Sequence, residues 1–419
     1  MTDVFAGKAL ARLRRAARED GVLLARKWPP QHAHGLPEVP MSSPRPEFHI
    51  PSLDGIRGLA ALTVFVSHAL WRDFVPGGFG VTVFFFLSGY LITTLLHMEH
   101  ERHGRISFSR FYLRRVYRIL PPMYIVLTAA LLLGLAGVLP HHMKVEGVLA
   151  QFAHLTNYYY IFRGQQDFVP TTSVMWSLAV EEHFYLLFPL GISVLFARFS
   201  HRATAGVLTL ACAAVLAWRC YLILDVGVGH QYTYYATDTR LDSLLYGCIL
   251  GVWLNPALDA PRPEPGPRQR RGFMLLFGAC LALLLISFVY RDPVFRETWR
   301  YSLQGVALLP MFYCAVRFHH WRIFAWLDSR PMRAMGLISY TFYLTHLPCL
   351  AILSLYTDTS KPVRAALGFV ATVTVSGAMY LLVERHLGTL RRRLHERPHA
   401  TGAIPAVEPP AHRLAGRRP

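Results

Sequence analysis

Apolar positions along the chain gather into long unbroken runs instead of the narrow stripes of a soluble helical bundle. A hydrocarbon core about 30 Å thick is crossed by roughly 20 residues of helix, and about ten runs approach that length. Their cores fall near 53–72, 79–98, 119–139, 176–197, 203–224, 240–256, 272–290, 300–317, 335–356 and 364–383. The sixth and eighth are short, and 146–162 reads as a re-entrant or interfacial helix. The pattern predicts an all-α, polytopic membrane protein with its spans around a central polar cavity.

The polar positions between the runs test this layout. An even number of spans puts both termini on one side, and cationic residues concentrate on the cytoplasmic side. One set of connections carries Lys8 to Arg45, Arg102 to Arg118, Arg198 with Arg202, Arg262 to Arg271, Arg317 to Arg333 and the run from Arg391. The other set holds fewer: Arg72, Lys144, Arg163, Arg240, Arg291, Arg296, Arg300, Lys361 and Arg364. The asymmetry predicts a plasma (inner) membrane protein with both termini in the cytoplasm. Residues 1–50 form a basic, proline-rich arm expected to be largely disordered, 51–385 the membrane domain, and 386–419 a disordered basic tail.

Composition narrows the function class. The 419 residues include 43 Lys+Arg against 25 Asp+Glu, a formal charge of +18, yet only 16% are charged and 53% are hydrophobic. A nucleic-acid binder reaches such a charge by being rich in charged residues, so no nucleic-acid partner is expected. The positive charge faces membrane lipids instead. The six cysteines lie in apolar runs without CxxC spacing, so neither a disulfide framework nor a metal site is expected.

A charged group at mid-membrane costs about 2.5–3.5 kcal/mol on insertion scales, so each one asks for a reason. Arg57 and His68 in the first span are eleven residues apart. At about 100° and 1.5 Å per residue they share a face, roughly 16 Å apart along the axis. They either mark the two interfaces of that span or line one cavity, with Asp54 beside them. In the fourth span Glu181 and Glu182 lie several residues inside an apolar run, and Tyr185 shares a face with Glu181. A carboxylate brought to His68 would orient it as a general base. Asp238, Arg240 and Asp242 open the sixth span and suit a structural ion network as well as a substrate site. His346, inside a predicted span, reads as a packing histidine or a secondary site residue. Between the second and third spans, Arg110, Arg114 and Arg118 form a cationic stripe next to Arg115, and Pro121-Pro122 are expected to begin the third span. Arginine forks suit phosphate oxygens, and anionic headgroups are the other candidate partner.

Several fragments in order resemble the acyltransferase family 3 membrane proteins, which transfer acyl groups to hydroxyls of sugars and related acceptors. These are Arg57 and His68, the run Gly80 to Tyr90, the arginines before Pro121-Pro122, and Trp176-Ser177-Leu178 followed by Glu181. The likeness spans roughly 50–385. It implies an acyl-CoA donor, acetyl-CoA by default, bound from the cytoplasmic side as a co-substrate with no permanently bound cofactor. It implies His68 as the essential histidine, Arg57 and the Arg114, Arg115 and Arg118 group at donor-binding positions, and Glu181 at the acidic position. The acceptor class is a hydroxyl-bearing glycan, glycolipid or small molecule. Relatives with an extra extracytoplasmic domain leave the expectation that transfer here is completed by the membrane domain or a separate partner. Direct attack of the acceptor hydroxyl is expected, because Ser88 sits in a Leu-Ser-Gly-Tyr patch suited to close helix packing. The other reading is a transporter or flippase for a polar solute or lipid-linked glycan, with the intramembrane His and Glu as a proton relay.

Overall fold

A computed structural model describes residues 50–71, 74–259 and 263–389. The arm expected over 1–50 and the tail expected over 386–419 lie outside these residues, except for residue 50 and residues 386–389. So do the loop cations from Lys8 to Arg45, Arg72, Arg262 and the run from Arg391.

The described chain is helical throughout, with no strand. In order run α1 (Pro51–Ala69), α2 (Gly77–His103), α3 (Phe108–Leu135), the short α4 (Val145–Phe152) and α5 (Thr156–Arg163), and α6 (Trp176–Arg198). Then come α7 (His201–Tyr221), α8 (His230–Tyr235), α9 (Thr237–Val252), α10 (Pro267–Val289), α11 (Pro293–Glu297) and α12 (Trp299–Arg317). The last are α13 (Arg322–Ala325), α14 (Arg330–Tyr356) and α15 (Lys361–Met379), which continues in a π-helical turn over Tyr380–Glu384.

Among the described residues, seven helices are long and apolar enough to cross a bilayer: α2, α3, α6, α7, α10, α14 and α15 with its π turn. The expected first, sixth and eighth cores fall on α1, α9 and α12, which have 19, 16 and 19 residues. More than half of the residues of each are buried. Every residue of α9 from Thr239 to Val252 except Leu241 is buried, so its polar groups meet neighbouring helices and not lipid. The expected helix over 146–162 is the pair α4 and α5. Pro121 and Pro122 do not begin the helix: α3 starts at Phe108 and runs through both, so the cationic stripe is its first three turns.

Close approach of α2 to α9 explains the glycine that follows Ser88. A Cβ on Gly89 would lie 2.0 Å from the Leu244 carbonyl oxygen, and one on Gly247 would lie 1.9 Å from that of Phe86. The two helices therefore touch backbone to backbone, the small-residue packing that membrane helices favour. Gly247→Ala is expected to cost roughly 1–3 kcal/mol by overpacking. It should lower the thermal unfolding midpoint of detergent-solubilised protein, whereas Gly278→Ala, inside α10 with nothing within 4 Å, should leave it unchanged or raise it.

Candidate active site

Arg57 begins the site from the start of α1. Its guanidinium donates to Asp54 Oδ1 at 2.8 Å, one turn back on the same helix. Arg118 and Tyr185 lie within electrostatic reach of it.

On α3 the four arginines separate into two groups. Arg110 and Arg114 face Glu99 near the end of α2, at 3.6 Å and 3.3 Å. Glu99 also accepts the backbone N–H of Ser107 at 3.0 Å, so it fastens the entrance of α3 to α2. Arg115 turns the other way, its guanidinium 5.2 Å from the Tyr185 ring centre. Arg115 and Arg118 both lie within reach of Glu181. The structure thus gathers Arg57, Arg115 and Arg118, and pairs Arg114 with Glu99, which it shares with Arg110.

The two neighbouring glutamates of α6 differ in their bonding. Glu181 accepts from the Ser88 hydroxyl at 3.0 Å and from the Tyr185 hydroxyl one turn on at 2.9 Å. Glu182 holds a buried Oε1 without a hydrogen-bond partner among the described residues. The hydrogen bonds of Glu181 therefore go to α2 and to its own helix, whereas the partner of His68 comes from elsewhere.

That partner is His346. His68 is exposed at the end of α1 and His346 is buried in α14. His68 Nδ1 and His346 Nε2 stand 3.0 Å apart, and the rings stack at 5.1 Å between centres. His346 Nδ1 lies 2.6 Å from the Tyr343 carbonyl oxygen. Because a carbonyl can only accept, Nδ1 of His346 carries the hydrogen. In neutral His346 the lone pair is then on Nε2, which accepts from the Nδ1–H of His68. The chain of partners leaves the lone pair of His68 on Nε2. Tyr343 is held beside the pair by Ser177, their hydroxyls 2.8 Å apart, and by the Val174 carbonyl at 3.1 Å.

The polar opening of α9 divides by burial. Asp242 pairs with Arg219 of α7 at 2.7 Å, both side chains fully enclosed, and accepts from Ser302 at 2.7 Å. Arg240 makes its hydrogen bonds to other groups. It donates to Thr82 at 3.0 Å and to the Tyr234 carbonyl at 3.2 Å, with its guanidinium 4.0 Å from the Tyr301 ring centre. Asp238 accepts from Trp218 Nε1 at 2.7 Å. Arg219, Asp242 and Ser302 thus form one buried hydrogen-bonded cluster joining α7, α9 and α12. Arg219 was not among the residues singled out from the sequence, although an arginine near the end of the apolar run 203–224 was the signal for it.

A sequence model described as an acyltransferase domain matches residues 50–381. The chain is 31% identical over 330 residues to the O-acetyltransferase OatA of Staphylococcus aureus strain NCTC 8325 / PS 47, covering 75% of this chain and 52% of that protein. It is also 31% identical over 331 residues to a putative O-acetyltransferase of the COL strain, covering 75% of this chain and 53% of the other. The chain thus spans about half the length of the curated relatives it matches. No solved structure matches.

Proposed function

This chain belongs to the acyltransferase domain family, and from that membership we propose that it is an acyl-CoA-dependent O-acyltransferase. In this reading α1, α9 and α12 complete a ten-span bundle in the plasma membrane with cytoplasmic termini. An acetyl group is moved to a hydroxyl, as the names of the O-acetyltransferase relatives suggest, and the acceptor is read as sugar-containing.

The observation that carries the proposal is the chain of hydrogen bonds from His68 through His346 to the Tyr343 carbonyl. It supports His68 as the base: Nε2 takes the proton of the acceptor hydroxyl as the oxygen attacks the thioester carbon. The C–S bond then breaks, CoA leaves as the thiolate, and His68 returns the proton to the sulfur. His346 is a positioning residue that holds the His68 ring by its Nδ1–H. It takes the role expected of Glu181, and as a neutral acceptor it stabilises an imidazolium less than a carboxylate does.

Arg57, Arg115 and Arg118 are read as the donor phosphate site. Hydrogen bonds to charged groups are worth about 1.5–3 kcal/mol, or roughly 10- to 100-fold in binding. Arg118→Gln is therefore expected to raise KM for acetyl-CoA by about that factor with kcat little changed, since phosphates are held alike in ground and transition states.

Free CoA release by purified protein, given acetyl-CoA and a panel of glycan acceptors, tests the proposal. Acceptor-dependent release is expected. Its absence, together with solute uptake by vesicles containing the protein, would overturn the enzyme reading in favour of the transporter, which neither the family match nor the relatives support.

A further inference from the structure

The far end of α2 carries a constellation that acyl transfer does not use. His97 and Glu101 lie one turn apart there, and His201 opens α7. One ligand atom from each lies within 4.8 Å of the other two. Glu101 Oε1 is 3.4 Å from His201 Nε2 and 3.9 Å from His97 Nε2. Bonds of about 2.0–2.1 Å to a tetrahedral metal space the ligand atoms roughly 3.3–3.4 Å apart, so small side-chain rotations close the set.

A second observation points the same way. His97 is only 8% exposed, and its Nδ1 lies 3.2 Å from the Gly251 carbonyl oxygen. The carbonyl can only accept, so Nδ1 carries the hydrogen and the Nε2 lone pair turns toward Glu101 and His201. A histidine that donates its other N–H to a backbone carbonyl is the usual arrangement of a metal-ligating imidazole. Phe196 closes the apolar side, its ring centre 5.4 Å from that of His97 and 5.9 Å from that of His201. An ion pair accounts for less, because 3.9 Å between His97 and Glu101 is too long for a hydrogen bond.

We propose that His97, Glu101 and His201 bind one divalent transition-metal ion, zinc by ligand type, that fastens α2 to α7. Two imidazoles and a carboxylate leave a fourth position for water. Glu99, on the same last turns of α2, holds Arg110 and Arg114, so the ion would stiffen the segment to which the entrance of α3 is fastened. The absence of a metal site expected from cysteine spacing did not address histidines from separate helices.

The test uses the full chain, purified in detergent with a tag free of histidine and stripped with a chelator. Zinc is titrated against a chromophoric indicator, and cobalt is followed by its visible absorption. One tight equivalent is expected, with a raised unfolding temperature. His201→Ala and Glu101→Gln, at partly exposed positions that tolerate substitution, are each expected to weaken binding by at least about 10-fold. Their double variant should lose the tight equivalent while keeping the elution profile of the folded protein. Absence of a tight equivalent in the unsubstituted chain, or its persistence in the double variant, would overturn the proposal.

Discussion

Folded His68→Ala protein is expected to lose roughly 100- to 10,000-fold in kcat for acyl transfer, the range that a positioned base contributes. Its affinity for acetyl-CoA should hardly change. The arginines read as phosphate ligands gather at the Arg57 end of α1, about 16 Å along the helix axis from His68 by the 1.5 Å rise. The separation gives the prediction its discriminating power, since a general loss of structure would lower donor affinity as well. Equilibrium binding of a non-hydrolysable acyl-CoA analogue, measured beside single-turnover transfer, checks both halves. His346→Ala should show a smaller loss of the same kind, because it removes the acceptor that orients the Nδ1–H of His68 and leaves Nε2 in place. A His68→Ala variant with full transfer would eliminate the base assignment.

The second large effect is on stability. Asp242→Ala leaves Arg219 charged and fully enclosed, with only neutral partners: the Ser302 hydroxyl, the Thr239 and Thr298 carbonyls and the Tyr301 ring. Removing one member of a buried pair costs about 3–5 kcal/mol, and Asp242→Ala is expected to fall in that range. The expected result is loss of most monodisperse protein after solubilisation and a much lower unfolding temperature. The double substitution Arg219→Leu with Asp242→Leu should be less damaging than Asp242→Ala alone, because apolar replacements of both charges remove the uncompensated ion. Surviving protein should keep its KM for both acetyl-CoA and the acceptor, which distinguishes a structural network from a substrate site. A double variant worse than the single one would show that the charges do more than balance each other.

The membrane character of the fold was legible because apolar runs of span length are a direct requirement of the bilayer. The helices α1, α9 and α12, shorter or more polar than the others, were harder to read for the same reason. Other helices surround α9, which is short and polar, and hydropathy reports only contact with lipid, although α2 is also deeply enclosed and remains apolar. At the candidate site, the sequence placed Glu181 and Tyr185 on one face, and they are hydrogen-bonded. It also grouped the arginines of α3, but spacing alone did not reveal that Glu99 occupies Arg110 and Arg114. The pairing of His68 with His346 was beyond a one-dimensional reading, because it is made by the packing of α1 on α14 and not by any local period. Each histidine alone was a single polar residue in an apolar helix. Together they define a tautomer.

Partition of a labelled acetyl group tests direct, His68-assisted transfer most closely. Purified protein is mixed with labelled acetyl-CoA in a single turnover, with and without a hydroxyl-bearing acceptor, and quenched in acid. Label should pass to the acceptor in step with CoA release, with none retained on the protein when acceptor is left out. Label covalently held by the protein before acceptor is added, and chased to the acceptor afterwards, would contradict the account.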